Sequence, residues 1–210
     1  MDGQVADATR FRPRARLLQL LGDQLIGSPR LALFELVKNA YDADATTVTV
    51  TMSHLDSDEA TIRVQDDGDG MSLSILEDIW LVPGHDHKAR ARMEGIRTAK
   101  GRLPLGEKGV GRFAVHKLGQ VVELVTRQAD RPELVLRIDW EEIAQSEFLE
   151  DARVQIVSRA PEVFKESGTG TLVAVTRLRG EKWTRGDVRR LSRQITSISS
   201  PFATASGDFS

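Results

Sequence analysis

Three short stretches, far apart in the chain, each place carboxylates or glycines where a regular element must begin or end. They are Glu35-Leu36-Val37-Lys38-Asn39-Ala40-Tyr41-Asp42-Ala43-Asp44, Asp66-Asp67-Gly68-Asp69-Gly70-Met71 and Gly106-Glu107-Lys108-Gly109-Val110-Gly111-Arg112-Phe113. The first sits on a helix predicted from about Pro29 to Asp42, with Ser28 as N-cap and Pro29 at its first position. At 100° per residue, Glu35, Asn39 and Asp42 fall within roughly 60° of one another, while Leu33, Leu36, Val37 and Ala40 take the opposite face. The second stretch follows a strand, Thr61–Gln65, and the third opens a helix, Gly111–Leu118.

The remaining elements surround this frame. A helix is expected over about 14–26, carrying Leu17, Leu18, Leu20, Leu21 and Leu25 at helical spacing, and another over 72–82 behind Ser72 as N-cap. Strands are expected at 46–52, 120–127, 133–139, 153–158 and 171–178, and a basic amphipathic helix at 184–198. Between Pro83 and Leu105 runs a long polar stretch of little periodicity, which reads as a functional or mobile loop. Helices first and strands later, in meander-like order, predict an α+β fold, with helices layered on a mostly antiparallel sheet. Trp80, Trp140 and Trp183 read as core or interface residues.

Composition narrows the chemistry. The chain has 210 residues, enough for one large domain, and no cysteine, which excludes disulfides, thiol catalysis and cysteine-bound zinc. Its net charge of −2 gives no global case for nucleic acid or membrane binding. Without a signal peptide or an apolar run of spanning length, a cytoplasmic location is the default expectation. His85-Asp86-His87 and the basic run from Lys88 to Arg92 read as solvated loop rather than as a metal or phosphate site.

Each of the three stretches has a bland reading: a solvated helix face, a tight acidic turn, a structural glycine turn. Each also has a chemical one. Asn39 offers a hard oxygen to Mg²⁺, whose shell would be completed by waters and phosphates. Glu35, one turn earlier, is placed to orient or deprotonate a water. Asp66 at a strand end is a strong acceptor for an exocyclic amine, and Gly68 and Gly70 let backbone approach a flat ligand. Gly106, Gly109 and Gly111 would turn N–H groups and a helix N-terminus toward phosphate. The third stretch is neither a P-loop nor a dinucleotide fingerprint.

In order and combination, with Gly170-Thr171 near the C-terminus, these motifs resemble the GHKL ATPase superfamily of gyrase, the ninety-kilodalton heat-shock chaperone, sensor histidine kinases, MutL and the MORC proteins. The resemblance runs from about Leu31 to Leu178 and lies nearer the chaperone, MutL and MORC branches, because Tyr41-Asp42-Ala43-Asp44 follows Asn39. It implies a Bergerat-type two-layer α/β sandwich, with helices on one face of a mostly antiparallel mixed sheet, that binds ATP with Mg²⁺.

By position, the resemblance assigns Glu35 to the general base, Asn39 to the metal, Asp42 to the phosphate and lid side, and Asp66 to adenine. Gly68, Gly70 and Met71 would border the base. Gly106, Lys108, Gly109, Val110, Gly111, Arg112 and Phe113 would form the phosphate turn. Thr171 would support Asp66, and Lys88 loosely matches a lid lysine. The expected organisation is a helical segment at 1–28, the ATP-binding domain at 29–180, and a helix and tail at 181–210 leading to a further domain. That domain would supply a cation to the γ-phosphate, so hydrolysis by this chain alone is expected to be slow. The expected partners are ATP or ADP, a second copy of a longer protein, and nucleic acid or a client protein through further domains. An ATP sensor without hydrolysis and a kinase needing a partner histidine remain open alternatives.

Overall fold

The computed structural model describes residues 10–25, 27–106, 115–180 and 183–202. Strands β1 (Val48–Ser53), β2 (Thr61–Asp66), β3 (Gly119–Arg127), β4 (Glu133–Asp139), β5 (Ile156–Arg159) and β6 (Gly170–Leu178) form one sheet in the order β1-β2-β6-β3-β4-β5. Each described pairing is antiparallel. Helices α1 (Arg16–Leu25), α2 (Pro29–Asp42), α5 (Val115–Leu118), α6 (Trp140–Gln145) and α7 (Arg185–Phe202) contribute to the layer on one face, giving the expected two-layer α+β sandwich.

Alternation along the strands separates the two faces. Ile62 and Val64 of β2, Val122 and Leu124 of β3, Leu136 and Ile138 of β4, and Val173 and Val175 of β6 point into the helical layer. There they meet Leu33 and Leu36 of α2, Leu118 of α5 and Trp140 of α6. The polar stripe and apolar back of α2 separate as the helical period requires, with Leu33, Leu36, Val37 and Ala40 buried. Ser28 caps α2 by accepting from the Leu31 N–H at 3.2 Å. In α1 the leucines divide: Leu18 is buried, whereas Leu17 and Leu20 stand partly in solvent.

Two helices go beyond the sequence expectations. Helix α4 (His87–Met93) forms inside the polar stretch, because alanine, lysine and arginine favour helix without any apolar stripe to announce it. Helix α6 starts at Asp139, whose carboxylate accepts from the Glu141 N–H. The helix expected over 72–82 is a short α3 (Leu73–Ile75), capped by Ser72, that runs into a wider π turn at Leu76–Trp80. Trp140 is buried in the core, and Trp80 and Trp183 pack at its edge.

The outer face of the sheet is covered by the segment between β5 and β6. Phe164 packs on Val125 and Leu172. Two charged residues hold the segment there. Buried Glu133 accepts from the Val163 and Phe164 N–H groups at 2.7 and 2.6 Å and from Arg159 at 3.1 Å. Arg127 Nη1 donates to the carbonyls of Phe164, Glu166 and Gly168 at 2.7–2.8 Å. Burial pushes the Glu133 carboxyl up, but the backbone donors and Arg159 outweigh it and hold the group below the usual glutamate range.

Glu133→Ala is therefore expected to destabilise the fold by about 3 kcal/mol at pH 7, since one buried and one partly buried N–H group lose their acceptor. Urea denaturation measures this. The stabilisation from a depressed carboxyl is present above the ordinary glutamate range and lost as pH falls, so the gap between wild type and variant should narrow in acid.

Candidate functional site

The C-terminal end of α2 is the meeting point. After Asp42 the chain leaves the helix through Ala43 and a left-handed Asp44, with φ of 57°. The carbonyl of Ala43 accepts from the Asp69 N–H at 2.9 Å. Asp67 Oδ1 accepts from the N–H groups of Thr46 and Thr47 at 2.7 and 2.8 Å. These bonds fasten the Asp66–Met71 turn onto the helix end that carries Asn39 and Asp42. Gly68 is required there, because a Cβ would lie 2.5 Å from the Ala43 oxygen. Gly70, at φ of 67°, would set a Cβ 2.0 Å from the Arg127 oxygen.

Asp66, Thr171 and Thr126 come together at one end of the sheet. The register pairs Gln65 with Leu172 and Thr126 with Thr171, so the alternation turns all three side chains to the helical face. Asp66 Oδ1 accepts from the Gly68 N–H at 3.0 Å and the Thr171 N–H at 3.1 Å. Thr171 thus holds Asp66 through its backbone, and its hydroxyl meets that of Thr126 at 3.0 Å. The Met71 N–H donates to Thr126 Oγ1 at 2.8 Å. Burial pushes the Asp66 carboxyl up to about 6, against the pull of its two N–H donors, with Asp67 and Asp69 adding to the rise.

The polar stripe of α2 meets the stretch 83–106. Asp42 is almost fully buried. It accepts from the Leu105 N–H at 2.7 Å, the Gly106 N–H at 3.2 Å and Lys88 Nζ at 2.7 Å. One carboxylate thus fixes both α4 and the last residues before the third motif. Lys88 Nζ also donates to Asn39 Oδ1 at 2.9 Å. Glu35 pairs with Lys38 at 2.9 Å on the same stripe.

Gly106 abuts this cluster, since a Cβ on it would lie 2.9 Å from Lys88 Cδ and 3.3 Å from Asp42 Oδ2. The other residues of the third motif named above, Lys108, Gly109, Val110, Gly111, Arg112 and Phe113, lie outside the described residues.

Sequence reasoning missed four members of this arrangement. Thr126 ends the face of β3 that carries Val122 and Leu124, and only the β3–β6 register gives it meaning. Arg102 Nη1 donates to the carbonyls of Tyr41 and Ala45 at 3.1 and 2.6 Å, satisfying the C-terminus of α2. Lys100 donates from Nζ to Asp44 O and from its N–H to Asp44 Oδ2, at 2.7 and 2.9 Å. Lys38 had no visible role until its ion pair with Glu35 appeared.

One polar stripe, one half-buried strand-end carboxylate and Gly106 thus converge on one side of one helix. A family model described as "Histidine kinase-, DNA gyrase B-, and HSP90-like ATPase" matches residues 27–171. The chain belongs to that ATPase family. The GHKL resemblance is thereby established, and with it a domain of the ATP-binding kind.

A relative from Herpetosiphon aurantiacus, named "Putative type II restriction enzyme HgiDII", is 36% identical over 90 residues. The match takes in 43% of this chain and 13% of HgiDII, so the chain spans a small part of that relative. Among the described residues no helix is long and apolar enough to cross a membrane.

An ionised carboxylate with a raised pKa costs stability in the unliganded domain. Asp66→Asn keeps an Oδ1 acceptor for both N–H groups and removes the charge. It should stabilise the unliganded protein by about 2 kcal/mol at pH 7.5, a figure reduced for the solvent that reaches a half-buried group. The wild-type deficit is absent below pH 4 and appears as pH rises through about 6. Denaturation curves from pH 4 to 8 should therefore diverge toward neutral pH, and parallel curves would assign Asp66 an ordinary pKa.

Proposed function

We propose that this chain is the ATP-binding and ATP-hydrolysing module of a larger protein. The observation that supports the reading best is the convergence at the end of α2, where the Asp66 turn docks on Ala43 while Asp42 and Asn39 hold the lid. In this reading Asp66 accepts the adenine amine, Gly68, Gly70 and Met71 border the base, and Gly106 through Phe113 cradle the phosphates. Glu35 aligns or deprotonates the attacking water.

The donor set at Asn39 fits Mg²⁺. Its Oδ1 is a hard oxygen already facing a cation, the Lys88 ammonium. Mg²⁺ would neutralise phosphate charge when bound. In the same reading Lys88 leaves Asn39 and turns to phosphate as the lid, 83–105, closes. Lid closure then drives conformational change or pairing of two copies of the longer protein, in the cytoplasm. Residues 29–180 serve as the ATP-binding unit, and 181–210 lead to the segment that supplies a further cation.

HgiDII carries a restriction-enzyme name, which supports nucleic acid as what the larger protein acts on. A second reading, ATP sensing without turnover, draws on the Glu35–Lys38 pair, which occupies the proposed base in the unliganded domain.

Calorimetric ATP binding with phosphate release separates the two readings. Glu35→Ala should keep ATP affinity within about threefold and lower turnover at least about a hundredfold. Asp66→Asn should lose ATP binding. Wild-type affinity should fall as pH drops below about 6, where Asp66 takes up a proton and loses its acceptor character. Full turnover in Glu35→Ala would remove its role as base. ATP binding by the full-length protein with no phosphate release would favour the sensor. Acid-labile phosphoprotein formed from labelled ATP would point instead to a kinase.

A further inference from the structure

Thr126 is fully buried, and its hydroxyl oxygen has three neighbours: the Met71 N–H at 2.8 Å, the Gly170 carbonyl at 3.0 Å and the Thr171 hydroxyl at 3.0 Å. A threonine hydroxyl has one proton and two acceptor lone pairs. The Met71 N–H can only donate, so it takes one lone pair. The Gly170 carbonyl can only accept, so it takes the proton. The contact to Thr171 is then possible in one sense only, with Thr171 donating its own proton inward. What remains on Thr171 Oγ1 is acceptor capacity alone.

Thr171 is half-buried and lies beside Asp66, whose Oδ1 is engaged by the Gly68 and Thr171 N–H groups. Asp66 Oδ2 receives no hydrogen bond from the described residues. In the ATP reading Asp66 Oδ2 and Thr171 Oγ1 are the oxygens that meet the base, and both are acceptors at neutral pH.

We propose that Thr126 is a specificity-determining positioning residue: by holding the Thr171 hydroxyl as an acceptor, it makes the site select a 6-amino purine over a 6-oxo purine. The inference rests on the ATP reading above. A 6-amino group donates into the pair of acceptors. A 6-oxo purine brings only its single N1–H to the two acceptors and sets its O6 against them with no proton on the protein to pair it, and such unpaired polar contacts discriminate strongly. Removing the Thr126 hydroxyl frees the Thr171 proton, and that side chain can then rotate to donate to a 6-oxo oxygen.

The test is the ratio of ATP to inosine triphosphate affinity at pH 7.5, by calorimetry on the whole protein with Mg²⁺. Wild type should prefer ATP by at least about tenfold, the equivalent of one unmade hydrogen bond. Thr126→Val should shrink that ratio severalfold, mainly by binding inosine triphosphate more tightly. Thr126→Ser, which keeps the hydroxyl, should restore it. A general loss of packing would weaken both nucleotides alike and leave the ratio unmoved.

Should Thr126→Val fail to fold, Thr171→Val carries the test, with ATP affinity lowered and inosine triphosphate affinity unchanged. An unaltered ratio in Thr126→Val, no rescue by Thr126→Ser, or equal losses for both nucleotides in Thr171→Val would overturn the proposal. Wild type that binds neither nucleotide would instead overturn the ATP reading itself.

Discussion

The arrangement depends on how α2 ends. A helix leaves its last carbonyls without partners, and something must satisfy them. Here two separate parts of the chain do so, and the last side chain of the helix gathers a third. Arg102 takes the carbonyls of Tyr41 and Ala45, the Asp69 N–H takes that of Ala43, and the Asp42 carboxylate gathers Leu105, Gly106 and Lys88. Capping and site assembly are thus one event. The bonds at this helix end also bring the strand-end turn and the 83–106 stretch against the polar stripe of Glu35, Asn39 and Asp42.

The electrostatics of the unliganded domain follow from this geometry. Asp42 is neutralised by Lys88 and two N–H groups, so it can lie buried. Burial, with neighbouring carboxylates adding to it, raises the Asp66 pKa against the pull of its two N–H donors. The contrast separates a carboxylate paired with a cation from one that, in the proposed reading, receives the adenine amine. In that reading the fold tolerates the cost of the raised Asp66 pKa in exchange for recognition. The sheet supports this from behind: Arg127 clamps the outer loop while its own carbonyl abuts Gly70, so the turn that borders the site rests on a fastened strand end.

Much of this was legible in the sequence because local rules act strongly there. The apolar back and polar stripe of α2 follow from helical period, its start from Ser28 and Pro29, and the β1–β2 and β3–β4 hairpins from alternation. Gly68 and Gly70 announced a turn with close backbone approach. What stayed hidden needed partners distant in sequence. Thr126 became a hub only through the β3–β6 register. Arg102 and Lys100 looked like loop cations until the end of α2 gave them carbonyls to bind. Helix α4 has no apolar face, so periodicity was silent about it. The flap over the outer face depends on Glu133 and Arg127, two charges at strand ends that read as solvent-exposed without the loop that buries them.

Backbone amide shifts on titration with Mg²⁺ and a non-hydrolysable ATP analogue test the convergence most directly. Gly68, Met71 and Thr171 at the strand end, Asn39 on α2 and Gly106 at the lid end should move together, with one shared dissociation constant. Shifts confined to a single one of these three regions, or separate constants for each, would contradict a common pocket.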